Sequence, residues 1–412
     1  MPTIESLDGI DTSSAHLPNY RPVAALLLVQ CLNGVVVSAQ RYFFPIYVSD
    51  ALGGTVVLAS SLVSMAQAAG MVAALMAGGL TDTLGRKWTL VLGLGCFVVS
   101  SIAFFARIPW LVAALWVVNG LAMSLESLGA QSYLIRAGEH LRIGTISAFY
   151  HWGFTLGGAL GSPFAGYVLD TRGYATFARL LMGLATFNTV LAVAVMPRLQ
   201  HREAREDRHR WAEVLAGYLD VVRRPTVIRL GLIRFLPTCY YGMSGVLIPL
   251  LIYAQTGTKI SVAAFVTTSQ ILAMGAQLIA GRAADRLGPR VPTLIAMGGV
   301  AAAALGQAVF AGQPWGLFAF GCLGMASAWS LSTMMLVLVS RATVAHEQGR
   351  VLGALHLVWN LAMVLSILVG GLLVEIRAGL PFAVASALGV GGVVAVLSYF
   401  GRQSEAMAVD TR

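Results

Sequence analysis

Charge is what this sequence lacks. Asp, Glu, Lys and Arg make up 11% of its 412 residues, against about 25% in soluble domains. A chain of this length folding in water needs a charged skin, and this one has too little to make it, so lipid is the expected solvent. Cysteine is scarce as well. Cys31, Cys96, Cys239 and Cys322 lie far apart, each inside an apolar stretch, with no ligand spacing. This excludes a disulfide scaffold or a zinc module and leaves small packing residues with free thiols. There is no Gly-x-x-x-x-Gly-Lys-Ser/Thr loop, no His-Glu-x-x-His pair and no nucleophile beside an evident base. Nucleotide-driven pumping, a metal site, a bound cofactor and enzymatic catalysis are therefore not expected. Residues 1–20 are polar and mildly acidic, without the basic-then-apolar pattern of a cleavable signal.

What is abundant is apolar length. Hydrophobic residues make up 57% of the chain, and a spanning helix needs roughly 20 mostly apolar residues. Twelve stretches qualify: 22–48, 55–80, 88–106, 110–135, 143–169, 175–197, 227–254, 261–281, 291–312, 314–340, 351–374 and 380–400. They neither alternate nor shorten as membrane strands do, so helices are expected. Of the 27 Lys and Arg, twenty fall on one side of the resulting topology, five on the other, and Arg41 and Arg234 inside segments. Positive charge marks the cytoplasmic side, which places both termini inside and accounts for the net charge of +9 without nucleic acid. Trp110 and Trp315 then stand at outer ends and Trp88 at an inner end, as an aromatic belt requires.

The expected divisions are a cytoplasmic tail over 1–21, six helices over 22–197, a cytoplasmic linker over 198–226, six helices over 227–400 and a cytoplasmic tail over 401–412. In the linker, charged residues crowd 198–210. Trp211, Val214, Leu215, Tyr218, Leu219 and Val222 then recur at helical spacing, which predicts an amphipathic helix lying on membrane lipid.

One charged bend, from Gly78 through Asp82, Gly85, Arg86 and Lys87, sits between the second and third apolar stretches. It recurs near half the chain length as Gly281, Asp285, Arg286, Gly288 and Arg290. A bend repeated in this way predicts two homologous halves. The pattern Gly-x-Leu-x-Asp-x-x-Gly-Arg-Lys resembles the loop signature of the major facilitator superfamily, and length, segment count and basic central loop fit it too. The first copy departs at Thr83, where that family usually carries Arg. The resemblance implies an all-α integral membrane protein of the cytoplasmic membrane, with twelve transmembrane helices in two pseudo-symmetric six-helix bundles, that moves a small molecule by alternating access; since that motion needs no fixed oligomer, a monomer is the default expectation. It also implies that Gly78, Asp82, Gly85, Arg86 and Lys87, with Asp285 and Arg290, serve conformational switching.

Ionising groups inside membrane segments are costly and are candidate functional sites. Glu126, Arg41 and Arg234 are the strongly ionising residues well inside segments, on the fourth, first and seventh, which family topology places around the central cavity. Glu126 is the only deep acid. A buried carboxyl is costly as an anion and cheap as a neutral acid, so it can load and unload a coupling proton. Arg stays charged and cannot carry that proton, but it can hold an anionic group. Asn33, Gln40, Asn119, Tyr241 and Trp329 are expected to line the cavity. His151 and His356 occupy corresponding places in the two halves, and His151 is a candidate proton relay.

Gly153, Gly157 and Gly161 with Pro163 resemble the glycine- and proline-rich fifth-helix signature of the family's exporters. Small residues at this spacing also mark close helix packing. Many of those exporters carry an Arg in the fourth helix where this chain has Trp116. The leading reading is a proton-coupled exporter of small organic molecules. The alternatives are an organic-anion symporter or exchanger built on Arg41 and Arg234, and a non-transporting membrane sensor.

Overall fold

The computed structural model describes residues 20–137, 143–199, 223–343 and 347–410; at 75–82, 143–145, 148, 349–350 and 403–410 it describes the backbone alone. The described chain is helical, as a backbone surrounded by hydrocarbon must be to satisfy its own polar groups. The elements are α1 (Arg21–Asp50), α2 (Val56–Leu84), α3 (Arg86–Ser101) with a short 3-10 turn after it, and α4 (Pro109–Ala137). A 53-residue element, Ile143–Val195, follows. At 1.5 Å per residue it would reach roughly 80 Å, far more than a bilayer core of about 30 Å. Gly173 breaks it, with φ 72° and ψ 178°, into the arms α5 (143–172) and α6 (174–195). Then come α7 (Pro225–Thr256), α8 (Lys259–Leu287), α9 (Arg290–Val309), α10 (Pro314–Ala342), α11 (Gln348–Ile376) and α12 (Leu380–Asp410).

Eleven helices among the described residues are long and apolar enough to cross a membrane, the element holding α5 and α6 being counted as one. The expected stretches 143–169 and 175–197 correspond to the arms α5 and α6 on either side of Gly173. α12 continues past the expected end of its apolar stretch at 400, to Asp410. The linker expectation falls on residues 200–222, and most of the N-terminal tail on 1–19, outside the described residues.

The repeat seen in the sequence is also a repeat of elements. α2 and α8 are 29 residues each and start and end 203 positions apart (56 to 259, 84 to 287). α4 and α10 are also 29 residues each, 205 positions apart at both ends (109 to 314, 137 to 342). After α2 and α8 the chain turns through Gly85 at φ 82° and Gly288 at φ 76°. A side chain is strained in this left-handed region and glycine is not, so both bends need glycine at that position.

The helices before residue 200 pack on one another chiefly through α1 with the α5–α6 element, α3 with α4, and α2 with α4. The later ones pack through α8 with α10, α9 with α12, and α7 with α11. Contact between the two sets runs along α2–α11 and α5–α8, with a thinner seam at α1–α7. Close approach at α1–α5 depends on small residues. A Cβ on Gly157 would run into the Cys31 carbonyl, and one on Gly34 into that of Phe154. The four cysteines are free thiols.

Candidate functional site

A cavity of about 140 Å³ opens between α7, α10 and α11. Its walls include Arg234 and Tyr241 from α7, Trp329 and Ser332 from α10, and His356 and Trp359 from α11. Trp329 meets Tyr241 edge to face, with centroids 6.1 Å apart. His356 stacks on Trp359 at 5.5 Å. These pairs give the cavity two aromatic walls. Pro237 and Pro249 interrupt the hydrogen-bond ladder of α7 on either side of Tyr241, where a proline loosens a helix.

Two guanidinium groups face this region. Arg234 has its charge centre 5.9 Å from the Trp359 ring and donates a long hydrogen bond, 3.4 Å, to the Ser332 hydroxyl. Arg41 crosses from α1 to α7, with its charge centre 5.0 Å over the Tyr241 ring and 5.7 Å over Tyr42. Tyr241 therefore separates the second cation from the cavity. Among the described residues neither Arg has a carboxylate within 4.0 Å. Ring faces attract cations but do not neutralise them. The region carries two positive charges without a fixed anion beside either.

Glu126 lies in a separate place. Its side chain is 4% exposed and sits against the side-chain amides of Gln30 and Asn33 on α1. Gln30 donates to the Tyr150 hydroxyl at 3.3 Å, so α1, α4 and α5 meet in a buried polar cluster. The cluster is not saturated: Glu126 Oε1, Gln30 Oε1 and both amide atoms of Asn33 are buried with no hydrogen-bond partner. Such groups cost free energy unless something fills them. A proton on Glu126 would supply a donor to the amide oxygens.

The structure moves several expected residues. Gln40 and Asn119, expected to line the cavity, lie inside the α1–α3–α4 contact. Asn119 donates to Gln40 Oε1 at 2.6 Å, and Gln40 donates to Phe97 O at 3.1 Å, Ser100 Oγ at 3.2 Å and Ser101 Oγ at 3.0 Å. Their polar groups hold helices together, so they are interior packing residues. Asn33 belongs to the Glu126 cluster, away from the cavity. His151 is exposed and edge-on to its neighbour Tyr150 at 5.1 Å; the histidine in the cavity is His356. Trp116 lies flat on Phe44 with centroids 3.3 Å apart, a packing role where the exporters have a charge. Gly153, Gly157 and Gly161 face α1, and Pro163 lies inside α5.

The residues expected to switch conformation fall at helix ends, around the bends after α2 and α8. Gly78 and Asp82 are in the last turns of α2, and their side chains lie outside the described residues. Gly85 makes the bend and Arg86 starts α3. Lys87 donates to the carbonyls of Val193 at 2.7 Å and Met196 at 2.5 Å, satisfying the free carbonyls at the end of α6. Asp285 and Arg290 are exposed.

One cluster escaped the sequence reading. At the opposite ends of the helices, Asp170 at the end of α5 accepts hydrogen bonds from the backbone N–H groups of Lys259 and Ile260, both at 2.9 Å. It thereby caps the N-terminus of α8. Glu375 at the end of α11 accepts from the backbone N–H of Val57, at the N-terminus of α2, at 3.3 Å. Asp170 and Glu375 are 205 positions apart, and the helices they cap are 203 apart, so the same contact occurs twice. Lys259 also pairs with Asp50 at 2.9 Å, and Asp50 accepts from the Tyr174 hydroxyl at 2.9 Å. The signal was available as two acids at matching offsets, but their partners are backbone groups that no residue type reveals.

The comparisons with known proteins agree with this architecture. The sequence profile described as Major Facilitator Superfamily matches residues 26–367 and matches again over 231–411. A crystal structure of a point mutant of the nucleoside transporter NupG superposes with a TM-score of 0.77. It covers 92% of this chain and 99% of its own, at 13% sequence identity, a likeness of fold alone. No curated protein matches significantly. With the profile spanning most of the chain and the helices arranged as described, the protein is a multi-pass membrane transporter, not an enzyme, and it belongs to the Major Facilitator Superfamily.

Proposed function

We propose that the protein carries a small organic anion across the cytoplasmic membrane together with a proton, by alternating access between two six-helix halves that join twelve membrane spans. Both termini then face the cytoplasm, as the Lys and Arg bias requires. The observation that carries this reading is the separation of charges. Among the described residues, Arg41 and Arg234 flank an aromatic cavity with no carboxylate within 4.0 Å of either, while the deep acid, Glu126, is buried against neutral amides of α1. A cationic substrate would meet repulsion at this cavity. An anion supplies the charge that two intramembrane guanidinium groups otherwise lack.

Glu126 serves as the proton site. Neutral when loaded and costly when unloaded in this dry cluster, it favours movement of the carrier with the proton aboard. The contacts of Asp170 with α8 and of Glu375 with α2 act as the outer gate, which opens when the halves rock. Asp82, Gly85, Arg86, Asp285 and Arg290 act at the inner surface in the same motion, and Lys87 holds the α6 end to the α3 start throughout.

Proton-driven export of neutral compounds is the second reading. Glu126 serves it equally well, and the glycines of α5 resemble an exporter signature, although close packing against α1 already accounts for them. Proteoliposomes containing a pH dye decide between the two. Benzenesulfonate keeps its charge and so cannot cross lipid as a neutral acid. An inward gradient of it should acidify the lumen of wild-type vesicles and not of Glu126→Gln vesicles. Alkalinisation on adding a neutral compound, with no response to the anion, would favour export.

A further inference from the structure

We infer that the cavity between α7, α10 and α11 takes an anion bearing a single aromatic ring, its charged group on Arg234 and its ring between the indoles of Trp329 and Trp359. This deepens the proposed function by naming the substrate class, and it rests on that reading.

Size is the first argument. The cavity holds about 140 Å³, close to the roughly 150 Å³ that accommodates benzene in an apolar protein interior. The walls are the second. Trp359 presents a face already stacked by His356 on one side, and Trp329 and Tyr241 present a perpendicular edge. Such surfaces favour a flat ring through offset and edge-to-face contacts. The charge is the third. Arg234 offers five N–H donors in a planar fork, and among the described residues its side chain makes one hydrogen bond, the 3.4 Å contact with Ser332. Carboxylate and sulfonate oxygens match that fork and form short, strong bonds with it. Ser332 stands ready to donate its hydroxyl to the same group. Arg41 lies behind Tyr241, where it adds positive potential without occupying the cavity.

A lipid phosphate could also neutralise Arg234, but it brings no ring. The test is therefore calorimetric titration of the full-length protein in detergent micelles, with ligands that share one feature at a time. Benzoate and benzenesulfonate should bind about tenfold or more tightly than acetate and methanesulfonate. Benzyltrimethylammonium, the same ring with a fixed positive charge, should not bind. Arg234→Gln should weaken benzoate binding about tenfold or more, with Arg234→Lys intermediate. Trp359→Ala should bring benzoate down to the level of acetate. Unchanged melting temperatures show that these variants fold.

Equal binding of acetate and benzoate, or wild-type affinity in a folded Arg234→Gln protein, would overturn the aromatic-anion site. The proton-linked anion carrier would survive that result if aliphatic anions still moved protons in vesicles. Binding of benzyltrimethylammonium in preference to benzoate would overturn both.

Discussion

At the scale of single residues, polarity inside a membrane helix has two uses that look alike in a sequence. Gln40 and Asn119 read as cavity residues because they are polar, aligned and deep. In the folded chain they bond to each other and to α3, and no pattern along one helix distinguishes that from facing a cavity. Charge is more informative, because an ionised group has fewer places to go. Arg234, Tyr241 and Trp329 were legible from charge and aromatic character and do line the cavity; Trp359 and His356 complete it from α11, whose approach to α7 is a tertiary fact. The distinction is testable. Gln40→Leu leaves Asn119 and the α3 hydroxyls short of a partner, and should lower stability by about 1–3 kcal/mol with substrate affinity unchanged, measured by thermal unfolding and calorimetry. Glu126→Gln should do the reverse. It keeps a polar group of the same size and removes the proton, so anion exchange across a membrane at equal pH should continue while the response to a pH gradient disappears. A counterflow assay run at pH 6 and pH 8 checks this: flux in the variant should be the same at both.

At the scale of elements, helix ends do the work that the sequence could not display. Two carboxylates cap two helix N-termini across the seam between the early and late helices, where the free N–H groups and the helix dipole both favour an anion. Residues at these ends were visible as charges but not as pairs, because each partner is backbone on a helix about 90 or more positions away. Each such interaction is worth about 0.3–1 kcal/mol. Asp170→Asn should therefore raise the population open on this side roughly two- to fivefold, and adding Glu375→Gln should multiply the effect again, since the two contacts share no residue. Ser60→Cys in a cysteine-free background supplies the reporter. Ser60 is fully buried and packs against Gly371 of α11, so a membrane-impermeant maleimide reaches it only when α2 and α11 part. Faster labelling in the acid variants is the expected result, and unchanged labelling would show that the caps do not hold the seam.

At the scale of the whole molecule, length, apolar stretches and the duplicated bend made the helical membrane architecture legible before any coordinates. Helices matched in length recur at offsets of 203 and 205. The break in the element Ile143–Val195 was legible too: the apolar stretches 143–169 and 175–197 leave a gap that holds Asp170, Thr171, Arg172 and Gly173, and Gly173 is where the helix breaks. What duplication leaves unequal is the chemistry. The early half keeps an acid among amides at Gln30, Asn33 and Glu126, while the later half sets Arg234 among aromatics. In the proposed function the first would serve a proton and the second an anion, and coupling two solutes requires that each bias the same equilibrium.

That coupling can be read directly. Wild-type protein is reconstituted in vesicles with equal pH on both sides, the membrane potential is clamped, and benzenesulfonate is added outside while a trapped dye reports lumenal pH. Acidification is expected as protons enter with the anion, of similar extent whether the clamp is set positive or negative, because anion and proton together carry no net charge. No acidification is expected in Glu126→Gln. Entry of the anion with no pH change in wild-type vesicles, or an undiminished pH change in Glu126→Gln, would contradict that coupling.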